Sequence, residues 1–203
     1  MPGMSRQPLR RGSVTAPPAM LEFEGFSLQP LSAKNAGAII ELHRRPWNAA
    51  SVDVPATPEQ IVQLLGILDT RPLALPMMVV KDNRIVAVAS PTMGNVRNLT
   101  AYFFAVFDDG EHVHRGLAAF VRHVFWSLPL HRLYLQVPVV EASDRYREMM
   151  AAVGFRDEGT MAGHVLVAGE PRDVAVLGML RSDFDAWSAE FAPDLSLVPH
   201  GST

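Results

Sequence analysis

Apolar residues recur along this chain with two spacings, and the switches between them mark out its elements. Phe23 to Leu31 alternates well enough to predict a first strand that ends at Pro30-Leu31, and Ser32 then stands as an N-cap for a helix over Ala33 to His43. A second helix has a stronger start. Thr57-Pro58-Glu59-Gln60 supplies Thr at the cap, Pro at the first helical position and Gln two residues on, while Ile61, Leu64, Leu65 and Leu68 share one face. Met77 to Val80 and Ile85 to Ala89 flank Asp82-Asn83, a pair that tolerates positive φ, which predicts a β-hairpin. Leu99 to Phe107 carries large side chains on both faces, as a strand covered on both sides must. Val113, Leu117, Phe120, Val121, Val124 and Leu128 form a helical stripe, and Leu133 to Val137 returns to strand. Ser143 to Val153 is the next helix, with Tyr146, Met149, Met150 and Val153 on its apolar side and Gly154 as a left-handed C-terminal residue. A final hairpin spans about 160 to 167 and 173 to 180, turning through Gly169-Glu170-Pro171.

Composition narrows the function classes. The chain has 203 residues, 48% hydrophobic and 19% charged, which suits one well-buried domain over about 21 to 190. The Pro-, Gly- and Arg-rich residues 1 to 20 read as a disordered leader, and 191 to 203 as a flexible tail. A formal charge of -3, with no run of Lys or Arg, argues against a nucleic-acid track. Cysteine is absent, which removes disulfides, thiolate metal ligands and a Cys nucleophile. The longest apolar run is too short to cross a bilayer and nothing resembles a signal peptide, so no membrane partner is expected and the cytoplasm is the expected compartment.

The element order, taken with His131-Arg-Leu-Tyr-Leu-Gln-Val137, Val153-Gly-Phe-Arg-Asp-Glu-Gly159 and Asp173-Val-Ala-Val-Leu-Gly-Met-Leu-Arg181, resembles the GNAT superfamily of N-acetyltransferases, and within it the enzymes that acetylate ribosomal-protein N-termini. The resemblance covers roughly residues 23 to 186. It implies an α+β (mixed α/β) fold whose mostly antiparallel sheet is splayed between its fourth and fifth strands. It also implies an acetyl-CoA or other acyl-CoA cosubstrate, with pantetheine lying along Phe104, Ala105, Val106 and Phe107 and the diphosphate at the start of the following helix. On that alignment His112, His114, Arg115 and Gly116 are the cofactor contacts.

The loop before that helix departs from the family's glycine-rich pattern. Asp108, Asp109 and Glu111 bring carboxylates toward a diphosphate, a repulsion of about 1 kcal/mol per pair near 4 Å in water. The family's usual acid, a Tyr four residues before Gly-Phe, is replaced by Met150. Tyr146, one turn earlier, is the substitute, with Ser143, Glu141 and Tyr102 as further catalytic candidates; Tyr146 as a core aromatic and Ser143 as a simple cap remain open alternatives. Arg44, Arg45 and Trp47, between the first two helices, fall in the family's acceptor region. His112-x-His114 lacks the further ligands that a metal needs, so no metal is expected. The resemblance implies acyl transfer to a small-molecule or peptide amine. Two other readings keep the fold: an acyl group delivered by a carrier protein or another reaction in the same cleft, and a silent binding module. A homodimer through exposed strand edges or the final hairpin is also open.

Overall fold

The computed structural model describes residues 21–51, 57–69, 73–110, 112–191 and 198–199. The disordered leader and, apart from residues 191, 198 and 199, the flexible tail expected from the sequence lie outside the described residues.

Nine strands form one sheet in the order β7-β8-β6-β5-β4-β3-β2-β1-β9. Its first two strands, β1 (Leu21–Phe23) and β2 (Phe26–Pro30), replace the single strand expected over 23 to 31. Glu24 at φ 46° and Gly25 at φ 77° make a tight turn between them, and Glu is a residue that rarely signals left-handed backbone. A 3₁₀ turn at Ala33–Asn35 leads into α1 (Ala36–His43), and α2 (Pro46–Ser51) follows at once. The capping signal of α3 (Pro58–Asp69) is realised as expected: Gln60 N–H donates to Thr57 Oγ1 at 3.4 Å and Thr57 N–H to Gln60 Oε1 at 3.2 Å.

The hairpin of β3 (Met77–Lys81) and β4 (Arg84–Asn95) turns at Asp82 and Asn83, both at positive φ. Then come β5 (Thr100–Phe107), α4 (Val113–Ser127), β6 (Arg132–Pro138), a 3₁₀ turn at Glu141–Ser143 and α5 (Asp144–Val153). Gly154, at φ 104°, closes α5 as expected. The last hairpin is longer than its apolar core suggests: β7 (Arg156–Val167) and β8 (Glu170–Leu180) turn at Ala168-Gly169, and Glu170 and Pro171 already pair with Val167 and Leu166. α6 (Arg181–Phe191) follows, a helix that the sequence reading leaves without an element. Val198–Pro199 forms β9, paired antiparallel to Leu21 and Glu22.

Strand alternation sorts the core into two layers. Val79, Ala89, Phe103, Ala105 and Phe107 face α4 and α5, where Leu117, Phe120, Val124, Tyr146 and Met150 cover them. Met78, Val88 and Val106 face Ile39, Leu42 and Ile61 of α1 and α3. Removing a large apolar side chain from water stabilises by about 1.5–3 kcal/mol, so this double cover fixes β5 as the centre of the molecule.

Candidate active site

The sheet opens beside β5. Strands β5 and β6 run parallel and pair over three residues, Thr100 with Arg132, Ala101 with Leu133 and Tyr102 with Tyr134. Beyond those rungs they separate, while β6 stays paired to β8 as far as Pro138 and β5 to β4 as far as Phe107. The splayed sheet expected from the family resemblance is therefore present. Register decides what faces the opening. Asp108 N–H donates to Val86 O at 2.8 Å, and the alternation of an antiparallel ladder then points the amides of Phe104 and Val106 at β4 and those of Phe103, Ala105 and Phe107 at the slot. Of the four residues assigned to pantetheine, only Ala105 and Phe107 present their backbone to it.

Side chains from two helices reach these groups. Tyr146 on α5 is wholly buried and its hydroxyl donates to Ala105 O at 3.0 Å. Asn48 on α2, also wholly buried, donates from Nδ2 to Phe107 O at 2.7 Å and to Leu42 O at 2.8 Å. Trp47 Nε1 donates to the same Phe107 carbonyl at 3.3 Å, and its ring stacks on Phe107 with centroids 6.5 Å apart. Helix α2 thus spans the mouth of the slot, packed against β6, α5 and the Glu141–Ser143 turn. Two buried acceptors stay unpartnered there, Asn48 Oδ1 and Ser143 Oγ.

Several expectations are corrected by this geometry. Tyr146 is wholly buried, and burial first, then the neighbouring Tyr102, holds its proton far above the usual phenol range. Ser143 does stand at the N-cap of α5, but its side chain makes no cap bond. Gly116 is buried on the sheet side of α4, where an added Cβ would lie 2.6 Å from Val79 Cγ1 and 2.8 Å from Phe26 Cδ1. Arg115 is turned away as well, paired with Glu24 and set 6.0 Å from the Phe23 ring centroid. Arg44 pairs with Glu41 on the surface, and Glu141 is exposed. Tyr102 fares better: its hydroxyl reaches Gln136 O across the apex of the slot at 3.4 Å, and its ring meets Tyr134 edge-on at 5.7 Å.

The carboxylates before α4 do not stand bare. Asp108 pairs with Arg45 at 2.9 Å and Arg84 at 3.7 Å, and Asp109 accepts from Arg145 Nε at 2.9 Å. Arg45 is thereby tied to this loop. His112 begins the helix at φ 66° without a side-chain cap bond, and its ring lies 6.1 Å from that of His114. Burial, then the neighbouring His112, Arg115 and Arg145, lowers the His114 pKa below the ordinary histidine value. An uncapped helix start with Arg145 beside its loop suits an anion. Sequence reasoning missed Arg145 and Asn48. Neither lies in a motif, and both matter through partners 36 and 59 residues away. Among the described residues, no group of three or more His, Cys, Asp or Glu is placed to hold a metal ion.

Solved structures share this architecture. A ribosomal-protein-S5-alanine acetyltransferase from Vibrio fischeri superposes with TM-score 0.65 at 20% identity, covering 81% of this chain and 98% of that one. The fold is that of the N-acetyltransferases. A spermidine N-acetyltransferase variant from Vibrio cholerae gives TM-score 0.68 at 16% identity over 82% and 99% of the two chains. A ribosomal L7/L12 alpha-N-protein acetyltransferase in complex with coenzyme A gives 0.66 at 19% over 78% and 95%. No family model and no curated protein matches the sequence.

Proposed function

We propose that the chain is an N-acyltransferase that moves an acyl group, acetyl in the simplest case, from a pantetheine thioester to the amine of a small molecule or peptide. The observation that carries this reading is the parting of β5 and β6 beyond Tyr102 and Tyr134, which leaves the Ala105 and Phe107 amides facing the gap. The fit of acyl-CoA is supported by this chain's own groups. The slot-facing N–H groups and the orphaned Ser143 hydroxyl suit the pantetheine arm, and the uncapped α4 start with Arg145 suits the diphosphate. Bound there, acyl-CoA supplies an activated carbonyl and a thiolate leaving group.

The protein's part is positioning and charge. Backbone N–H groups at the β5 edge are fixed donors for the negative charge that builds on a carbonyl oxygen during direct attack. Tyr102, at the apex, is the acid best placed to protonate a leaving sulfur. A covalent enzyme intermediate is not part of this reading, since no activated nucleophile lines the gap among the described residues. The same arm on an acyl carrier protein suits the same slot, and the unpaired edge of β7 is the surface through which two copies would join. No helix among the described residues is long and apolar enough to cross a membrane, and a cytoplasmic setting is part of the proposal.

The test is thiol release from acetyl-CoA, and from an acetylated carrier protein, with spermidine and with peptides bearing free N-termini. Turnover with at least one pair is expected, and Tyr102→Phe should lower kcat by about 100-fold, the low end for a general acid. Absence of turnover with every pair, from protein that is folded, would remove the reading.

A further inference from the structure

The slot edge of β5 is already hydrogen-bonded from within. An extended amide arm lying along a strand needs both halves of the ladder: strand N–H groups for its carbonyls and strand carbonyls for its N–H groups. Here the acceptor half is taken, Ala105 O by the Tyr146 hydroxyl at 3.0 Å and Phe107 O by Asn48 Nδ2 at 2.7 Å and Trp47 Nε1 at 3.3 Å. All five residues are buried or half-buried, so these bonds run inside the protein from Ala105 to the mouth of the lane at Phe107.

The arrangement that closes the lane is itself incompletely satisfied. Asn48 spends its amide hydrogens on Leu42 and Phe107 and leaves Oδ1 buried without a partner, and Ser143 Oγ, on the turn against which α2 packs, is in the same state. Buried acceptors of that kind are a cost that a structure sheds when a donor arrives. Helix α2 has six residues, packs against β6, α5 and the Glu141–Ser143 turn, and is hydrogen-bonded to the slot edge of β5 through Asn48 and Trp47. Tyr146 hangs from the first turn of α5, and its hydroxyl donates to the Ala105 carbonyl.

We infer that Tyr146, together with Asn48 and Trp47 of α2, is an internal stand-in for the thioester arm, and that these side chains set donor affinity because the arm must displace them from Ala105 O and Phe107 O. The inference rests on the acyltransferase reading and adds to it the residues that control entry.

Three ligands separate the outcomes in calorimetric titration: coenzyme A, acetyl-CoA, and adenosine 3′,5′-bisphosphate, which lacks the arm. Tyr146→Phe keeps the ring and gives up the bond to Ala105, so it should bind coenzyme A and acetyl-CoA, the two ligands that carry the arm, about 5-fold more tightly, the equivalent of one net hydrogen bond. Adenosine 3′,5′-bisphosphate should bind it as it binds wild type. Asn48→Ala should show the same pattern, and coenzyme A should speed amide exchange in α2 of the wild type. Equal or weaker coenzyme A binding by folded Tyr146→Phe, or slower exchange in α2, would overturn the gate while leaving the acyltransferase reading intact. Failure of wild type and both variants to bind any of the three ligands would instead remove coenzyme A as the donor, and the gate with it.

Discussion

Gly116 shows how one residue's role is decided by neighbours far away in sequence. It resembled a phosphate-loop glycine, yet what excludes a side chain is Val79 and Phe26 beneath the helix. Gly116→Ala should therefore destabilise by up to about 2 kcal/mol, an overpacking cost of about 1–3 kcal/mol less the roughly 1 kcal/mol that Ala gains over Gly in a helix. A lowered urea midpoint with unchanged coenzyme A affinity per folded molecule is the expected result. His123 carries a pH signature of the same local kind. Burial lowers its pKa, so the folded state resists protonation that the unfolded chain accepts near the ordinary value of 6.5. Its contribution is complete above that pH and is lost as pH falls below it, with the same sign at His114, where burial again leads. The melting temperature should decline from pH 7.5 to 5.5, and His123→Gln should flatten that decline in scanning calorimetry.

At the scale of elements, the sequence was most legible where local chemistry agrees with the fold. The Thr57-to-Gln60 box, the Asp82-Asn83 turn and Gly154 each act within a few residues, and each stands where the pattern puts it. The apolar stripe of α4 was equally plain, because its buried positions repeat at helical spacing. What pattern alone did not yield depends on tertiary partners. Glu24 adopts a left-handed turn in a hairpin whose register is fixed by β3, and Glu170-Pro171 stays in strand because β7 extends beyond its apolar stretch. The start of α6 is similar. Arg181 donates to Leu128 O and Leu130 O at 2.9 and 3.0 Å and lies 5.3 Å from the Phe125 ring centroid, a clamp between α6 and the end of α4 that no sequence spacing announces. Glu158 and Arg132 were equally silent. Their pairing lays a carboxylate over Gly178, where a Cβ would lie 2.1 Å from it, and the arginine holds that carboxyl below its usual range. The slot itself was legible as a gap in the sheet, whereas its contents were not: Tyr146, Asn48 and Trp47 meet at β5 from two helices about a hundred residues apart.

For the molecule as a whole, the backbone is divided unevenly. Six strands, from β9 to β5, form one antiparallel block, and β6, β8 and β7 form another. Among the described residues, the main-chain link between the blocks is the short set of Thr100–Tyr102 with Arg132–Tyr134, continued by the His131 N–H to Leu99 O at 2.9 Å. Amides are protected in proportion to the free energy of the opening that exposes them. Native-state exchange should accordingly show the Tyr134 amide, which faces β5, opening ahead of the β4–β5 ladder and of the Leu133 amide, which faces β8; the reverse order would mean that the two blocks are welded by their helices alone. The consequence is mechanical. Like a zip fastened for its first few teeth, the sheet has a built-in tear line, and a tug across the strands would part it there while both ribbons stayed whole.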